Sequence, residues 1–385
     1  MNARSEAGAR AEIVVDLRAI AHNIRRLRQL VGDRAGHGAP ALMVVVKADG
    51  YGHGMVQVAR TARAVGAEWL GVATLDEALA LRESGDTGRL LCWLAVPDED
   101  YAPAVDAGVD VSAYSVGQLE EIVAAARRTR LPARLQLKFD TGLSRGGAPR
   151  PHWQELVEAA AAAESAGRVQ VTGVWSHFAC SDEPAHPAND QQERQFGQAL
   201  ALVEQAGLQP EVRHLANSAG ALLRPSARLD LVRFGIAAYG LSPAPEVSSS
   251  ADLGLVPAMT LRGRLVMVKE IQRGAGVSYG HSFVAGQDMT VGLVPMGYGD
   301  GIPRHASPNA EVLVSGRRGA VLGRICMDQF VVEAEGASTG DEVVLFGPGA
   351  DGEPTAQDWA QWCGTISYEI VTRMGGRAHR SWVDG

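Results

Sequence analysis

Cysteine is scarce in this sequence. The chain of 385 residues has four cysteines, which lie far apart, with no Cys-x-x-Cys pair and no histidine or cysteine at the spacing that a zinc site needs. They are Cys92, Cys180, Cys326 and Cys363. The pattern predicts a protein of a reduced compartment without a metal site.

Long apolar runs are absent as well. No uninterrupted apolar stretch is long enough to span a bilayer, and the first ten residues lack the apolar core of a signal peptide. We therefore expect a cytoplasmic protein whose residues 1–10 form a disordered tail.

The sequence also lacks an excess of positive charge. Lys and Arg total 36 against 44 Asp and Glu, a formal charge of -8, which argues against a general affinity for nucleic acid or anionic membrane. With 46% hydrophobic and 21% charged residues, the composition is that of a globular protein. The length exceeds what one compact core usually supports, so we expect two domains and a small-molecule ligand.

Short β-branched runs alternate with longer helical patterns from Glu12 to about Tyr239. This alternation is typical of βα units around a parallel sheet. About eight units fit, which favours a closed (β/α)8 TIM barrel, although a doubly wound open sheet gives the same alternation. Five polar residues favour the barrel because each lies at or just past the C-terminal end of a predicted strand, where barrels carry their chemistry. They are Lys47, Lys138, His177, Asn217 and Arg233.

The sequence changes character after the polar, serine-rich stretch SPAPEVSSSAD at residues 242–252. Strand-like runs at short spacing and many glycines follow from Met259 onward, with one helical pattern at 355–362. We therefore predict the α/β fold class, with a barrel at 11–241, a linker at 242–252 and a smaller, mostly β domain at 253–385.

A lysine and an arginine follow two of the predicted barrel strands. In VVVKADGYGHG, Lys47 ends a buried strand, and a lysine there can lose its proton by desolvation and form a Schiff base with an aldehyde cofactor. Most strand-end lysines are simply solvated, so this motif alone leaves both roles open. In KFDTGLSR a tight turn presents Arg145, whose planar fork suits either a substrate carboxylate or a surface salt bridge.

Three further motifs lie at the same end of the predicted barrel. GVWSHFACSD places His177 there as a base or as a hydrogen-bonding wall, and we favour the wall. HLANSAG and VRFGIAAYG combine small residues with backbone amides near a predicted helix start, an arrangement that suits a phosphate. For Asn217 and Ser218, a helix N-cap is an equally good explanation.

Tyrosines recur in motifs of the second domain. VSYGHSF contains Tyr279, MGYGDG contains Tyr298 and TISYE contains Tyr368, in a chain with seven tyrosines. GRICMDQF adds Met327. A tyrosine in a strand usually serves packing, so each motif alone is a weak indication of function.

In their order and spacing, these motifs resemble those of alanine racemase, a fold-type-III pyridoxal-phosphate enzyme. The resemblance runs from about residue 11 to about residue 380. It implies a cofactor-holding barrel followed by a β domain, and a head-to-tail homodimer in which each active site borrows residues from the neighbouring subunit.

The resemblance implies a role for most of the quoted barrel residues. Lys47 is expected to hold pyridoxal 5'-phosphate covalently, Arg233 to face its pyridine nitrogen, and His177 to lie beneath its ring, hydrogen-bonded towards that arginine. The other cofactor-binding residues, most of them around the phosphate, are expected to be Tyr51, Asn217, Ser218, Gly235, Ile236 and Tyr368, with the Tyr368 region returning to the barrel site.

The second domain of the neighbouring subunit is expected to complete the site. By the resemblance, Tyr279 is the second catalyst, Met327 gives a backbone contact to the substrate carboxylate, and Tyr298 narrows the entrance. Arg145 gives the side-chain contact to that carboxylate. Lys138 matches a lysine that is often carbamylated in the family and that braces this arginine.

Racemisation needs one proton-transferring group on each face of the substrate, and the family's assignment gives the D enantiomer to Lys47 and the L enantiomer to Tyr279. Arg233 donates a hydrogen bond without giving up a proton, which favours a racemase over related decarboxylases that have a carboxylate there. The resemblance thus predicts an alanine racemase that supplies D-alanine for peptidoglycan. A broader or serine-preferring racemase and a non-catalytic pyridoxal-phosphate-binding protein stay open as alternatives.

Overall fold

The computed structural model of the chain describes residues 10–32 and 38–384. Of the tail predicted at residues 1–10, only Arg10 lies within the described residues, and its guanidinium donates to the carbonyl of Pro295. Within these residues, no helix has both the length and the apolar character needed to cross a membrane.

In the described part of the chain, eight parallel strands form the barrel of the first domain. Most of their residues are buried, as expected for strands covered on both faces. Strand β1 (Ala11–Asp16) precedes the barrel strands, which are β2 (Ala41–Val45), β3 (Trp69–Val72), β4 (Arg89–Cys92), β5 (Asp110–Ala113), β6 (Ala133–Lys138), β7 (Val169–Trp175), β8 (Val212–His214) and β9 (Leu231–Phe234).

The barrel strands lie in chain order, and β9 returns to pair with β2. Two backbone hydrogen bonds join β8 to β9 and close the sheet. Asp230 N–H donates to Arg213 O, and Arg233 N–H donates to Ala216 O, each at 3.1 Å. The predicted fold class, a barrel followed by a smaller and mostly β domain, is confirmed.

Amphipathic helices cover the barrel. In α1 (Leu17–Val31), the fully buried Ile20, Ile24 and Leu27 recur on one face, and Asp16 caps the helix by accepting from two backbone N–H groups. The other helices of this domain are α2 (Lys47–Tyr51), α3 (Met55–Ala64), α4 (Leu75–Glu83), α5 (Ala102–Asp106), α6 (Val116–Thr129), α7 (Trp153–Ser165), α8 (Pro187–Gln205) and α9 (Ser218–Leu223).

The second domain is built on a mostly antiparallel sheet. Its strands are β10 (Met259–Arg264), β11 (Met267–Ile271), β12 (Gly276–Val277), β13 (Phe283–Val284), β14 (Met289–Val294), β15 (Glu311–Val314), β16 (Arg317–Leu322), β17 (Phe330–Glu333), β18 (Glu342–Phe346) and β19 (His379–Val383). The helices are α10 (Ser250–Leu253), α11 (Ala356–Cys363) and α12 (Ser367–Arg373). Strands β12 and β13 form a separate ribbon.

The first strand of the chain belongs to the second domain. β1 pairs antiparallel with β10 and parallel with β19, whereas the boundary predicted at residue 11 assigned it to the barrel. Its residues alternate between buried and half-buried, the pattern of a strand with one face on a core, while β2 and β3 are buried almost throughout. In the segment predicted as a linker, Ser242 and Ala244 are buried, whereas most of residues 245–252 are exposed.

Candidate active site

Lys47 lies at the mouth of the barrel, directly after β2 and at the start of α2. Its side chain is half-buried, with Nζ 5.8 Å from the ring centre of Trp93. Burial and the nearby charge of Arg145 lower the pKa of Lys47, while Glu77 acts in the opposite direction. Lys47 therefore reaches the neutral form, in which a lysine acts as nucleophile or base, more easily than a solvated lysine does.

The backbone after Lys47 forms a left-handed turn. Ala48, Asp49, Gly50 and Tyr51 have φ angles of 53°, 52°, 62° and 53°. Each non-glycine residue in this conformation costs about 1–2 kcal/mol, and side chains offset that strain. Glu77 Oε1 accepts from Ala48 N–H at 2.7 Å, and Asp49 Oδ1 accepts from the N–H of the first residue of α3 at 2.9 Å. The turn therefore holds Lys47 and Tyr51 in fixed directions.

Gly235 lies against both Ser218 and Tyr51 at the same mouth. Gly235 N–H donates to Ser218 Oγ at 3.0 Å, and a Cβ atom at position 235 would lie only 2.4 Å from Tyr51 Oη. Only glycine fits this close approach. Asn217 caps α9 by accepting from Gly220 N–H at 2.9 Å, which agrees with the N-cap explanation, and its contact with a cofactor stays a prediction.

Two further tyrosines surround Tyr51. The ring of Tyr239 lies 4.9 Å from that of Tyr51, and the ring of Tyr368, on α12 of the second domain, lies 6.2 Å away. Burial raises the pKa of both Tyr51 and Tyr368, so both hydroxyls stay protonated. A side chain of the second domain thus lies beside Tyr51 at the mouth of the barrel.

Arg233 lies almost entirely inside the barrel, with 3% of its surface exposed. Nη1 donates to His214 Nδ1 at 2.9 Å, and Nη2 contacts Ser176 O, Leu215 O and His177 Nδ1 at 2.9, 3.0 and 3.2 Å. Burial lowers the pKa of Arg233 to about 9, which leaves it charged at neutral pH. Among the described residues Nε–H donates to none, so that hydrogen is left for a ligand.

His177 occupies the predicted place beside Arg233. Burial and the charge of this arginine lower the pKa of His177 well below its usual value, so its ring is neutral. A neutral ring hydrogen-bonded to a buried cation agrees with the predicted wall more than with a base.

The amine of Lys138 lies over the indole ring of Trp175. Its Nζ lies 4.4 Å from the ring centre of Trp175, and burial together with Arg233 and Arg145 lowers the pKa of Lys138 to about 8. Arg145 is exposed on the loop after β6, where Asp140 Oδ1 accepts from Gly142 N–H and Ser144 N–H. The mouth therefore collects positive charge, as a site for anionic ligands requires.

The sequence analysis did not select His214, Gln136 or Trp175. His214 links Arg233 to Gln136, with Nε2 2.7 Å from Gln136 Oε1, and its ring stacks on that of Trp175 at 5.5 Å. A usable signal was present, because His214 and Gln136 are polar residues within barrel strands.

Tyr279, Tyr298 and Met327 form a second cluster on the second domain. They line a cavity of about 760 Å³ whose lining residues all belong to that domain, and they are 72%, 41% and 54% exposed. Tyr298 N–H donates to Cys326 O at 3.0 Å, which ties its loop to that of Met327. Lys47 does not line this cavity.

This fold and these side chains define a two-domain (β/α)8-barrel enzyme with a basic site at the carboxyl ends of its strands. Residues 15–243 match the family model of the alanine racemase N-terminal domain, and residues 258–382 match that of the C-terminal domain. The chain belongs to the alanine racemase family, as the sequence motifs predicted.

Individual relatives agree with this assignment. The chain is 53% identical to an alanine racemase of Streptomyces coelicolor, over 99% of this chain and 98% of that protein. An alanine racemase structure from D-cycloserine-producing Streptomyces lavendulae matches with a TM-score of 0.95 and 50% identity, over 99% and 98% of the two chains. A Bacillus anthracis alanine racemase structure with bound L-Ala-P matches with a TM-score of 0.89 and 31% identity, over 99% and 97%.

Proposed function

We propose that this chain interconverts L-alanine and D-alanine with pyridoxal 5'-phosphate as cofactor. The observation that carries the proposal is the mouth of the barrel, where Lys47 with its lowered pKa lies near Arg145, and where the buried Arg233 contacts His177. Family membership supports alanine as substrate, as does the bound L-Ala-P of the Bacillus anthracis relative. A cytoplasmic location and a supply of D-alanine for peptidoglycan stay predictions.

The residues at the mouth fit the proposed cofactor. Lys47 offers an amine for an aldehyde, and the close approach of Gly235 to the Tyr51 hydroxyl leaves a small cradle of hydrogen-bonding groups for a phosphate. The holding set comprises Lys47, Tyr51, His177, Asn217, Ser218, Arg233, Gly235, Ile236 and Tyr368. When bound, pyridoxal phosphate withdraws electrons from an attached amino acid and acidifies its α-proton.

Lys47 and Tyr279 move the protons in this proposal. In the D-to-L direction the neutral amine of Lys47 takes the α-proton, and the phenol of Tyr279 from the second subunit returns a proton to the opposite face. In the L-to-D direction the phenolate of Tyr279 takes the α-proton, and the protonated amine of Lys47 returns one. Arg233 would hold the pyridine nitrogen of the cofactor through its Nε–H and would keep its own proton. Arg145 and the backbone of Met327 hold the substrate carboxylate, and Tyr298 limits the size of the side chain admitted.

Heavy water provides the test of this function. Purified protein with pyridoxal phosphate is incubated with L-alanine in heavy water, and chirality and α-deuterium are followed together. D-alanine carrying deuterium is the expected product, because the proton returned to the other face comes from the solvent. Absence of both exchange and inversion would overturn the proposal.

We further propose a homodimer with shared sites, because Tyr279 and Met327 are exposed and line a cavity to which Lys47 does not contribute. Lys47→Ala and Tyr279→Phe chains, each nearly inactive alone, should recover about a quarter of the wild-type activity when mixed in equal amounts and reassociated. Half of the dimers are then mixed, and each mixed dimer has one complete site. Recovery near zero, with mixed dimers demonstrated by differential tagging, would mean that each site lies within one chain.

We also propose that Lys138 carries a carbamate. A neutral amine attacks CO2, forming an N–C bond and releasing one proton, and the resulting anion pairs with Arg145. Because the pKa of Lys138 is lowered to about 8, the reactive neutral form increases as the pH rises from 7 to 9. A carbamate signal in ¹³C NMR with labelled bicarbonate should therefore grow over this range. The same signal in Lys138→Gln would assign the carbamate elsewhere.

A further inference from the structure

Three buried side chains form a hydrogen-bonded series across the barrel interior. Arg233 Nη1 lies 2.9 Å from His214 Nδ1, and His214 Nε2 lies 2.7 Å from Gln136 Oε1. Both His214 and Gln136 have no exposed surface. The proposed function uses Arg233 and leaves Gln136 without a role.

Only one arrangement of protons satisfies this series. A guanidinium has donors and no acceptor, so His214 Nδ1 must accept, and the ring proton must lie on Nε2. That proton is donated to Gln136 Oε1. Burial and the charge of Arg233 keep the pKa of His214 well below its usual value, in agreement with a neutral ring.

The amide of Gln136 is held in place by the neighbouring strand. A Cβ atom at Gly173 would lie 2.6 Å from Gln136 Cδ and 2.8 Å from Oε1, so the amide lies directly against the β7 backbone. The β6–β7 ladder shifts register just before Gln136. The His214 ring is held as well, because it stacks on Trp175, whose Nε1–H donates to Ser112 Oγ at 3.0 Å.

Gln136 also leaves a polar group unpaired. Its Nε2 is buried and has no hydrogen-bond partner among the described residues. An unpaired buried amide costs free energy that an apolar side chain of the same length would avoid. The feature that Gln136 provides and an apolar residue does not is the acceptor Oε1.

We propose that Gln136 is a positioning residue for the racemisation. Its Oε1 fixes the Nε2–H tautomer and the orientation of His214, and His214 in turn fixes the guanidinium whose Nε–H faces the cofactor. This inference rests on the proposed function for the role of Arg233.

Two substitutions of equal length separate hydrogen bonding from packing. Gln136→Met fills the space and removes the acceptor, while Gln136→Glu keeps an acceptor oxygen. The first measurement is NMR of the full chain, labelled with ¹⁵N-histidine and loaded with pyridoxal phosphate. The Nε2–H signal of His214 is assigned by its loss in His214→Gln. We expect wild type and Gln136→Glu to keep this signal, and Gln136→Met to exchange its proton with water at least about tenfold faster.

The expected kinetic effects also separate hydrogen bonding from packing. Gln136→Met should lower kcat for alanine about tenfold or more and leave KM little changed, because it removes the hydrogen-bond partner that orients a histidine. Gln136→Glu should keep most of the wild-type kcat. Gln154→Met, at an exposed glutamine of α7, is the matched control and should change neither readout. If Gln136→Met does not fold, Gln136→Asn, whose acceptor is one methylene too short, replaces it.

Two kinetic results would overturn the positioning role of Gln136. Wild-type kcat in Gln136→Met overturns the positioning role, whether or not the His214 signal is lost. Equal losses of kcat in Gln136→Met and Gln136→Glu, with the His214 signal intact in both, would mean that Gln136 serves packing alone. This result would also overturn the positioning role. The NMR readout needs no turnover, so a wild-type protein that keeps the signal but fails the heavy-water test would contradict the proposed function while leaving the tautomer assignment intact.

Discussion

Lys47→Ala is expected to abolish the visible absorption band of lysine-bound pyridoxal phosphate. The same change should lower alanine racemisation by roughly 10²–10⁴-fold or more, because it removes both the covalent anchor and one of the two bases. The lowered pKa of Lys47 is the physical reason for choosing this amine, since burial and Arg145 favour its neutral form.

The small number of lysines in the chain allows the cofactor-bound lysine to be identified directly. The sequence has three lysines, Lys47, Lys138 and Lys269. Borohydride reduction of the loaded protein followed by peptide mass mapping should place the label on Lys47 alone. Lys269→Ala, at an exposed position on β11, is the control and should keep band, label and activity. A label on Lys138, or an unchanged band in Lys47→Ala, would refute the assignment.

Tyr279→Phe is expected to be the second large loss, again roughly 10²–10⁴-fold in turnover, because it removes the only acid–base group proposed for the face opposite Lys47. The two enantiomers have equal free energy, so kcat/KM must fall equally in both directions. The asymmetry therefore has to be sought in the proton transfers themselves. The primary isotope effect of α-deuterated substrate should rise more for L-alanine than for D-alanine.

Exchange of the α-proton with solvent measures the same difference between the two enantiomers directly. In heavy water, Tyr279→Phe should still place deuterium on D-alanine without inversion, because Lys47 keeps access to that face. Tyr298→Phe is the matched control from the same cavity; it should alter KM but change the two isotope effects alike, since Tyr298 moves no proton. Equal isotope effects for both enantiomers in Tyr279→Phe would contradict the division between two bases.

Several site features were accessible from sequence because they depend on residues close together in the chain. The motif VVVKADGYGHG put Lys47 at a strand end and a glycine-rich turn after it, and the structure has both. The left-handed turn itself was not predicted, since Ala48, Asp49 and Tyr51 adopt positive φ only with help from Glu77, 29 residues beyond Ala48.

Long-range pairings were beyond the sequence. The pattern of β1 indicated a strand with one buried face, but its partners β10 and β19 begin some 250 and 370 residues later, and nothing local specifies them. The contacts of His214 with Gln136 and Arg233 belong to the same class, because they require three separate strands to present side chains into one barrel.

The sequence by itself determined the fold class, the family and the identity of most candidate site residues, since apolar periodicity and ordered motifs are properties of neighbouring residues. Only the tertiary structure decided that β1 joins the second domain, that His214 contacts both Gln136 and Arg233, and that Tyr279 lines a cavity to which Lys47 does not contribute. The physical reason is that strand pairing, burial and charge–charge contacts depend on distances in space, which residues far apart in the chain acquire only when the whole core packs.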